Sequence, residues 1–374
     1  MAAFSNTSIL SPSPSQQQRH LPTLPLRPSF HSSILLNTLS TLRSPLNNKQ
    51  HNCFDTRAAA TPLFADPDVH DFASTSFTTS WAEFAENVSG EWDGFGADFT
   101  VQGKPIELPE SVVPEAYREW EVKVFDWQTQ CPTLAQSHNN GPSLMYKTIK
   151  LLPTVGCEAD AATRYSIHER NITAAHQSAF AYQSTGCYVA LWPVVNQIDS
   201  ANKSMELEHC LIDPTDKESR VRIIQVLELQ ESELKLKSIR VFVEQWYGPF
   251  RNGDQLGGCA IRDSAFAATQ PLKASQVSGV WQGLTAVAGS FNTRQNMIQQ
   301  LGDECVRKSI RDEADLILLP KQLWCSLKKM EDKETCCEVG WLLGEGRAVT
   351  SKCTFSSTAE LKEIAIASET ATSV

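Results

Sequence analysis

The stretch Val88-Ser89-Gly90-Glu91-Trp92-Asp93-Gly94 decides how this chain is read, because Val277-Ser278-Gly279-Val280-Trp281-Gln282-Gly283 repeats its frame 189 residues later. Each copy opens a segment rich in strand formers, which marks a duplicated β unit. A second echo aligns Arg222 to Glu244 with Arg347 to Glu369, placing Leu236-Lys237 on Leu361-Lys362, Ile239 on Ile364 and Glu244 on Glu369. Beginning and end of one unit therefore both recur. The offsets differ, 189 at the start and 125 at the end, so the second unit is shorter by 64 residues.

Working outward, Phe77, Trp81, Phe84, Ala85 and Val88 fall on one face of a short helix leading into the first copy, with Ser80 and Glu83 spaced as a capping box. From Gly90 to about Tyr247 the pattern turns to β. Segments Gly90–Val101, Trp120–Gln128, Leu144–Leu152, Arg164–Ile172, Ala179–Ala190, Met205–Ile212, Val221–Leu229 and Leu236–Trp246 are rich in β-branched and aromatic residues and separated by Gly, Pro, Asn or Asp. Strands without long helices between them predict an all-β fold of two tandem antiparallel units, each a barrel or a sandwich, with short flanking helices and the second unit smaller or incomplete. In the second unit Met297, Ile298, Leu301, Cys305, Val306 and Ile310 stand at helical spacing, and five strands are expected between Leu316 and Ala367.

The expected division is a leader over 1–57, a linker over 58–74, a first barrel over 75–247, a linker over 248–276, a second unit over 277–369 and a tail over 370–374. The leader carries ten Ser, five Thr and five basic residues against one acid, Asp55. That composition reads as a plastid transit peptide and predicts a chloroplast protein, stromal or thylakoid-associated. Without the leader the formal charge falls from −10 to near −14. A surface so acidic argues against nucleic-acid binding, which needs Lys and Arg to neutralise phosphates. Nothing approaches the roughly 18 continuous apolar residues of a membrane span, so contact with a membrane would be peripheral. The eleven Cys show no C-x-x-C and the eight His no ligand spacing, so no metal site is expected. Most thiols read as small buried hydrophobes, with Cys187 or Cys210 the alternative nucleophile or thioether attachment point.

Candidate ligand groups cluster in Arg164-Tyr165-Ser166-Ile167-His168-Glu169-Arg170. Alternation puts Arg164, Ser166, His168 and Arg170 on one face and Tyr165, Ile167 and Glu169 on the other. With the first face inward, two Arg and a His can bind carboxylate arms of a ligand. With the second inward, Glu169 is a buried acid beside an aromatic wall. A solvated charged strand with Tyr165 and Ile167 toward the core is the third reading. Trp120, Trp127, Tyr188, Trp192, Trp246 and Tyr247 are candidates to line a pocket by stacking. Tyr165, His168, Glu169 and His209 are the proton-transfer candidates should the chain be an enzyme. Arg222 and Glu244 are expected as a structural salt bridge.

Gly-x-Trp at the start of the first strand, after a short helix, resembles the lipocalin and calycin superfamily. That resemblance implies a barrel plugged at its narrow end by Trp92, entered at Gly90 and covered by an Arg of the last strand, for which Arg240 is the candidate. It implies the same plug at Gly279 and Trp281, where Ala365 replaces the Arg and Arg347 or Lys362 would have to substitute. Glu208-His209-Cys210-Leu211, Glu244-Gln245-Trp246-Tyr247-Gly248-Pro249-Phe250, Gly279-Val280-Trp281-Gln282-Gly283 and Leu319-Pro320 are further similar to a two-lobed calycin-like family of plant plastids and cyanobacteria, itself distantly similar to the S-type lyases that attach bilins to phycobiliproteins. The function these imply is binding of a hydrophobic small molecule in the first barrel: a tetrapyrrole, carotenoid, quinone or lipid. Alternatives are a lyase, isomerase or cyclase acting on a tetrapyrrole or prenyl substrate, and an assembly scaffold for photosynthetic complexes whose second lobe docks a protein. No cofactor beyond such a ligand is evident.

Overall fold

The computed structural model describes residues 80–138, 141–155, 163–173, 179–231, 233–254, 265–289, 291 and 297–372, apart from 195–202. All of them belong to one compact unit. The expected leader, the first linker, the start of the leading helix and much of the second linker lie outside the described residues.

Helix α1 runs through 80–88 and lays Trp81, Phe84 and Val88 against Phe180, Tyr182 and Tyr188. It hands over to β1 (Glu91–Phe99), followed by the short α2 (Glu115–Glu119) and by β2 (Asp126–Gln130), β3 (Thr133–His138), β4 (Gly141–Leu151), β5 (Arg164–Thr173), β6 (Phe180–Tyr182), β7 (Tyr188–Val194), β8 (Lys203–Ile212), β9 (Ser219–Gln230) and β10 (Glu233–Gly248). The second part holds β11 (Gly279–Gly289), β12 (Ile298–Gln300), β13 (Gly302–Arg311), β14 (Ile317–Leu319), β15 (Leu323–Lys329), β16 (Thr335–Gly344), β17 (Arg347–Phe355) and β18 (Leu361–Ala371).

These strands make two sheets. An 11-stranded sheet runs β12-β6-β7-β8-β9-β10-β1-β2-β4-β3, with β5 paired to β4, and curls into a half-barrel; a 7-stranded sheet runs β13-β11-β18-β17-β16-β15-β14. The curl is visible in side chains, since Arg170 on β5 reaches Glu206 and Glu208 on β8. Among the described residues β5 pairs with β4 alone, so its outer edge is open to the cup.

Strand β9 shows how both faces come to be buried. Val221, Ile223, Gln225 and Leu227 alternate with Arg220, Arg222 and Ile224, and all seven are buried. Val221, Ile223 and Leu227 pack with Val339, Val349, Cys353, Ile364 and Ile366 of the smaller sheet in one shared hydrophobic core, and Gln225 donates to the Ser326 carbonyl there. The second set faces the cup. The half-barrel therefore turns its apolar side outward onto the second sheet and its charged side inward.

Two expectations are corrected by the fold. Residues 297–311 form β12 and β13, not a helix, and β12 joins the larger sheet in parallel with β6. The 3.6-residue spacing there was misleading, because Val306 and Ile310 are 60% and 72% exposed and so mark no buried stripe. Trp120 ends α2 rather than starting a strand, and is 61% exposed.

Candidate functional site

The cup is crossed by a chain of alternating charges. Arg220 donates to Glu244 at 2.6 Å, Glu244 accepts from Arg222 at 2.9 Å, and Arg222 and Arg170 each donate to Glu208 at 3.1 Å. Arg170 also pairs with Glu206, which lies 3.6 Å from Arg240, and Arg240 donates to Asp98 at 3.0 Å. Four guanidiniums thus meet four carboxylates, and the chain is neutral as a whole. Strand alternation puts it there: Glu206 and Glu208, Arg220 and Arg222, and Arg240 and Glu244 are each spaced by an even number of residues on β8, β9 and β10.

Glu208 is the hub. Its carboxylate is fully buried and accepts from Tyr146, from Arg170, from Arg222, from the Tyr188 hydroxyl at 3.1 Å and from the Trp192 indole at 2.9 Å. Burial alone pushes such an acid up, but the Arg170 and Arg222 guanidiniums outweigh it and hold Glu208 at about 2. The same carboxylate drives the Tyr146 and Tyr188 phenols well above their usual range, after burial itself. Both phenols stay protonated donors.

Beside this chain lies a cavity of ≈290 Å3. One wall consists of three cross-strand pairs of β4 and β5: Tyr146 with Arg170, Thr148 with His168 and Lys150 with Ser166. The other wall is Arg222, Ile224, Arg240 and Phe242. Among the described residues its lining holds five basic side chains and no acid. Lys150 differs from the arginines. Among the described residues it forms no ion pair; its ammonium lies 5.1 Å from the centroid of the Trp127 ring. Burial lowers its pKa, with Arg240 adding to the effect and Asp98 opposing it. Burial likewise lowers His168, with Arg170 adding to it.

The face of β5 left open by the sequence is thereby assigned. Ser166, His168 and Arg170 line the cavity together with Ile167 of the other set, while Tyr165 stacks on Trp127 at 4.7 Å and 18°. Glu169 is exposed near Lys147, and Arg164 donates to the Gly253 carbonyl at 2.6 Å. Of the proton-transfer candidates, only His168 lines the cavity. His209 points out of the cup toward the smaller sheet, with Nδ1 2.6 Å from Ser351 Oγ and Nε2 3.2 Å from Gln225. Burial lowers it to about 4. Cys187 and Cys210 are buried, and burial raises both thiols, so neither has the lowered pKa of a nucleophile.

Of the aromatic candidates, Tyr188 and Trp192 hold Glu208, and Arg170 lies 4.8 Å over Trp192. Trp246 donates to the Ser89 carbonyl at 3.3 Å and fills the space beside Gly90. Trp120 packs edge-on with Tyr117, and Tyr247 is 56% exposed; neither lines the cavity. Sequence reasoning missed Glu206, Glu208, Tyr146 and Lys150 as site residues. Glu206-x-Glu208 set among Met205, Leu207, Leu211 and Ile212 was the available signal; nothing local singles out Lys150.

At the foot of the cup Trp92 is fully buried and donates to Val88 O at 2.9 Å. The cation over its ring is Arg220, not Arg240, which instead faces Asp98 and Glu206. Trp281 repeats the arrangement, donating to Val277 O at 2.8 Å under Arg311, which lies 5.4 Å from its centroid. Neither Arg347 nor Lys362 takes that role: Arg347 is exposed and Lys362 pairs with Glu334. The expected Arg222–Glu244 salt bridge is present, and Glu244 and Glu369 hold equivalent places opposite Gly94 and Gly283.

No family model matches the chain, and no curated protein matches it. Among solved structures it is similar to a protein of unknown function from the DUF3598 family of Nostoc punctiforme, at 12% identity and a TM-score of 0.46, covering 78% of this chain and 99% of that one. Among the described residues no helix is long and apolar enough to cross a membrane.

Proposed function

We propose that the chain is a calycin-like plastid protein that binds, in the cup of its larger sheet, a small molecule carrying a carboxylate or phosphate group. The observation that supports this most is Lys150: a partly buried ammonium in a basic cavity, with no acid of its own beside an ion chain that is already neutral. An anion seated between Lys150 and Arg240 would supply the missing charge. The leader composition supports the plastid address, and the Gly-x-Trp foot and curled sheet support the calycin reading.

Among ligand classes raised by the sequence, a tetrapyrrole with propionate arms or an acidic lipid suits this cup. Carotenoids and quinones, which carry no anionic group, do not. The cavity volume of ≈290 Å3 is at the small end of the ~300–1,000 Å3 of ligand clefts, so a large ligand would enter by its acidic end. Titration of the protein's Trp fluorescence with biliverdin and with its dimethyl ester tests the reading. The diacid should bind at least tenfold tighter than the diester, and Lys150→Met should remove most of the difference. Equal affinity for acid and ester, or no binding of either, would refute it.

A further inference from the structure

The register of β4 and β5 places Lys150 directly opposite Ser166, one cross-strand step from Thr148 and His168 and two from Tyr146 and Arg170. Lys150 is thus an amine on the wall of a cavity whose other cations, Arg170, Arg222 and Arg240, are each bound to carboxylates. Asp98, the acid whose charge Lys150 feels, is hydrogen-bonded to Arg240 at 3.0 Å. An ammonium in a solvated ion pair is a poor nucleophile because its lone pair is protonated. An amine desolvated beside another cation holds that lone pair free for more of the time.

We infer that Lys150 captures an anionic aldehyde or ketone as a Schiff base, the anionic end held by Arg240 and the carbonyl carbon presented to Nζ. This rests on the anion-binding reading of the cup and names the ligand's reactive group. In the step itself the neutral amine adds to the carbonyl carbon, forming the C–N bond as the C=O π pair moves onto oxygen. A proton passes from nitrogen to that oxygen, giving a carbinolamine. The hydroxyl then leaves as water after taking up a second proton, and the nitrogen lone pair closes the C=N bond. His168 lines the same wall two positions along β5 from Ser166 and is the side chain placed to relay those protons. Water reverses the reaction, so no oxidant or reductant is consumed.

The burial that lowers the Lys150 pKa raises the share of neutral amine available for the first step, while the ammonium remains the form that attracts the anion. Lys362 at the surface goes the other way, raised by its hydrogen bond to Glu334 and by that carboxylate's charge.

Pyridoxal phosphate joins an aldehyde to a phosphate and serves as the probe. The full chain is treated with a substoichiometric amount, reduced with borohydride, digested and mapped by mass spectrometry. Lys150 should carry the reduced adduct at ten or more times the level of Lys123 or Lys329, and pyridoxine phosphate, which has no carbonyl, should protect it. Lys150→Arg should keep the affinity for pyridoxine phosphate and lose the site-specific adduct. If Lys150 is labelled no more than Lys123 while pyridoxine phosphate still binds in a manner lost in Lys150→Met, the imine is wrong and the anion site stands. If pyridoxine phosphate does not bind and labelling is uniform, both fall. Because the labelling ratio is read on the unmodified protein, the test does not depend on any variant folding.

Discussion

Arg220 lies over Trp92 with its guanidinium carbon 4.2 Å from the ring centroid, and it reaches there from β9, two strands away from the tryptophan's own strand. Over Trp281 the same place is taken by Arg311 from β13, which neighbours β11 on the opposite flank. Both arginines end on the glutamate of the strand that closes the unit, Glu244 or Glu369. What the two halves share is thus a Trp–Arg–Glu contact, with the cation supplied from different sides.

Truncating the two arginines should therefore cost different amounts. Arg220→Met leaves Glu244 with Arg222, whereas Arg311→Met takes the guanidinium from Glu369 and Glu338 together, leaving them Ser309, Lys352 and the Trp324 indole. Removing one partner of a buried pair costs about 3–5 kcal/mol. Arg311→Met should fall at the upper end and Arg220→Met at the lower, as measured by urea unfolding. A larger loss for Arg220→Met would contradict the arrangement.

Glu208→Gln should destabilise the chain by about 3–5 kcal/mol, since Arg170 and Arg222 would each lose one of two carboxylate partners in a buried site. Glu169→Gln, on an exposed side chain of β5, should stay within about 0.5 kcal/mol. Denaturant midpoints of the two variants compare them directly, and similar midpoints would show that the hub carries no stability.

Gly94→Ala and Gly283→Ala should both disrupt the closing strands. A Cβ at Gly94 would stand 1.9 Å from the Val243 carbonyl oxygen, and one at Gly283 2.0 Å from that of Ser368. Backbone cannot yield as a side chain does, so each should exceed the ~1–3 kcal/mol of ordinary overpacking. Thermal melts that match the unsubstituted protein would disprove the close approach.

Acid should act on the contact between sheets through His209. Burial holds its folded pKa near 4, below the 6.5 of a free imidazole, so the unfolded chain binds the extra proton between those values. Stability from neutral His209 is full above pH 6.5 and is lost as pH falls to about 4. Asp93 and Asp126, raised to about 6 mainly by burial, work the other way between pH 6 and 3.8, because there the folded chain holds their protons. Relative to the unsubstituted protein, His209→Gln should gain up to about 3 kcal/mol on going from pH 7 to 4. Parallel stability curves for the two proteins would exclude the effect.

Much of the strand plan was legible. Arg164 to Ile172, Met205 to Ile212, Val221 to Leu229 and Leu361 to Ala367 were each expected as strands and lie within β5, β8, β9 and β18. Alternation and turn residues are local, and so they survive in a one-dimensional pattern. Residues 297–311 failed because the buried face of β13 carries the polar Ser309 and Arg311, so no apolar period of two shows, and the chance spacing of the exposed Val306 and Ile310 imitated a helix. The site was less visible. His209 looked like a proton-transfer group and Glu208 like its neighbour, yet a single step along β8 sends one into the contact between sheets and the other into the cup.

The repeated Gly-x-Trp-x-Gly feet, the β character and the one glutamate that closes each unit were set by sequence alone, because these depend on nearest neighbours along a strand. Tertiary structure alone decided that Arg220 rather than Arg240 covers Trp92, that the charged face turns inward, and that Lys150 forms no ion pair among the described residues. Each of those outcomes depends on how far the sheet curls and which strands it brings opposite, a property of the assembled sheet that no single strand encodes.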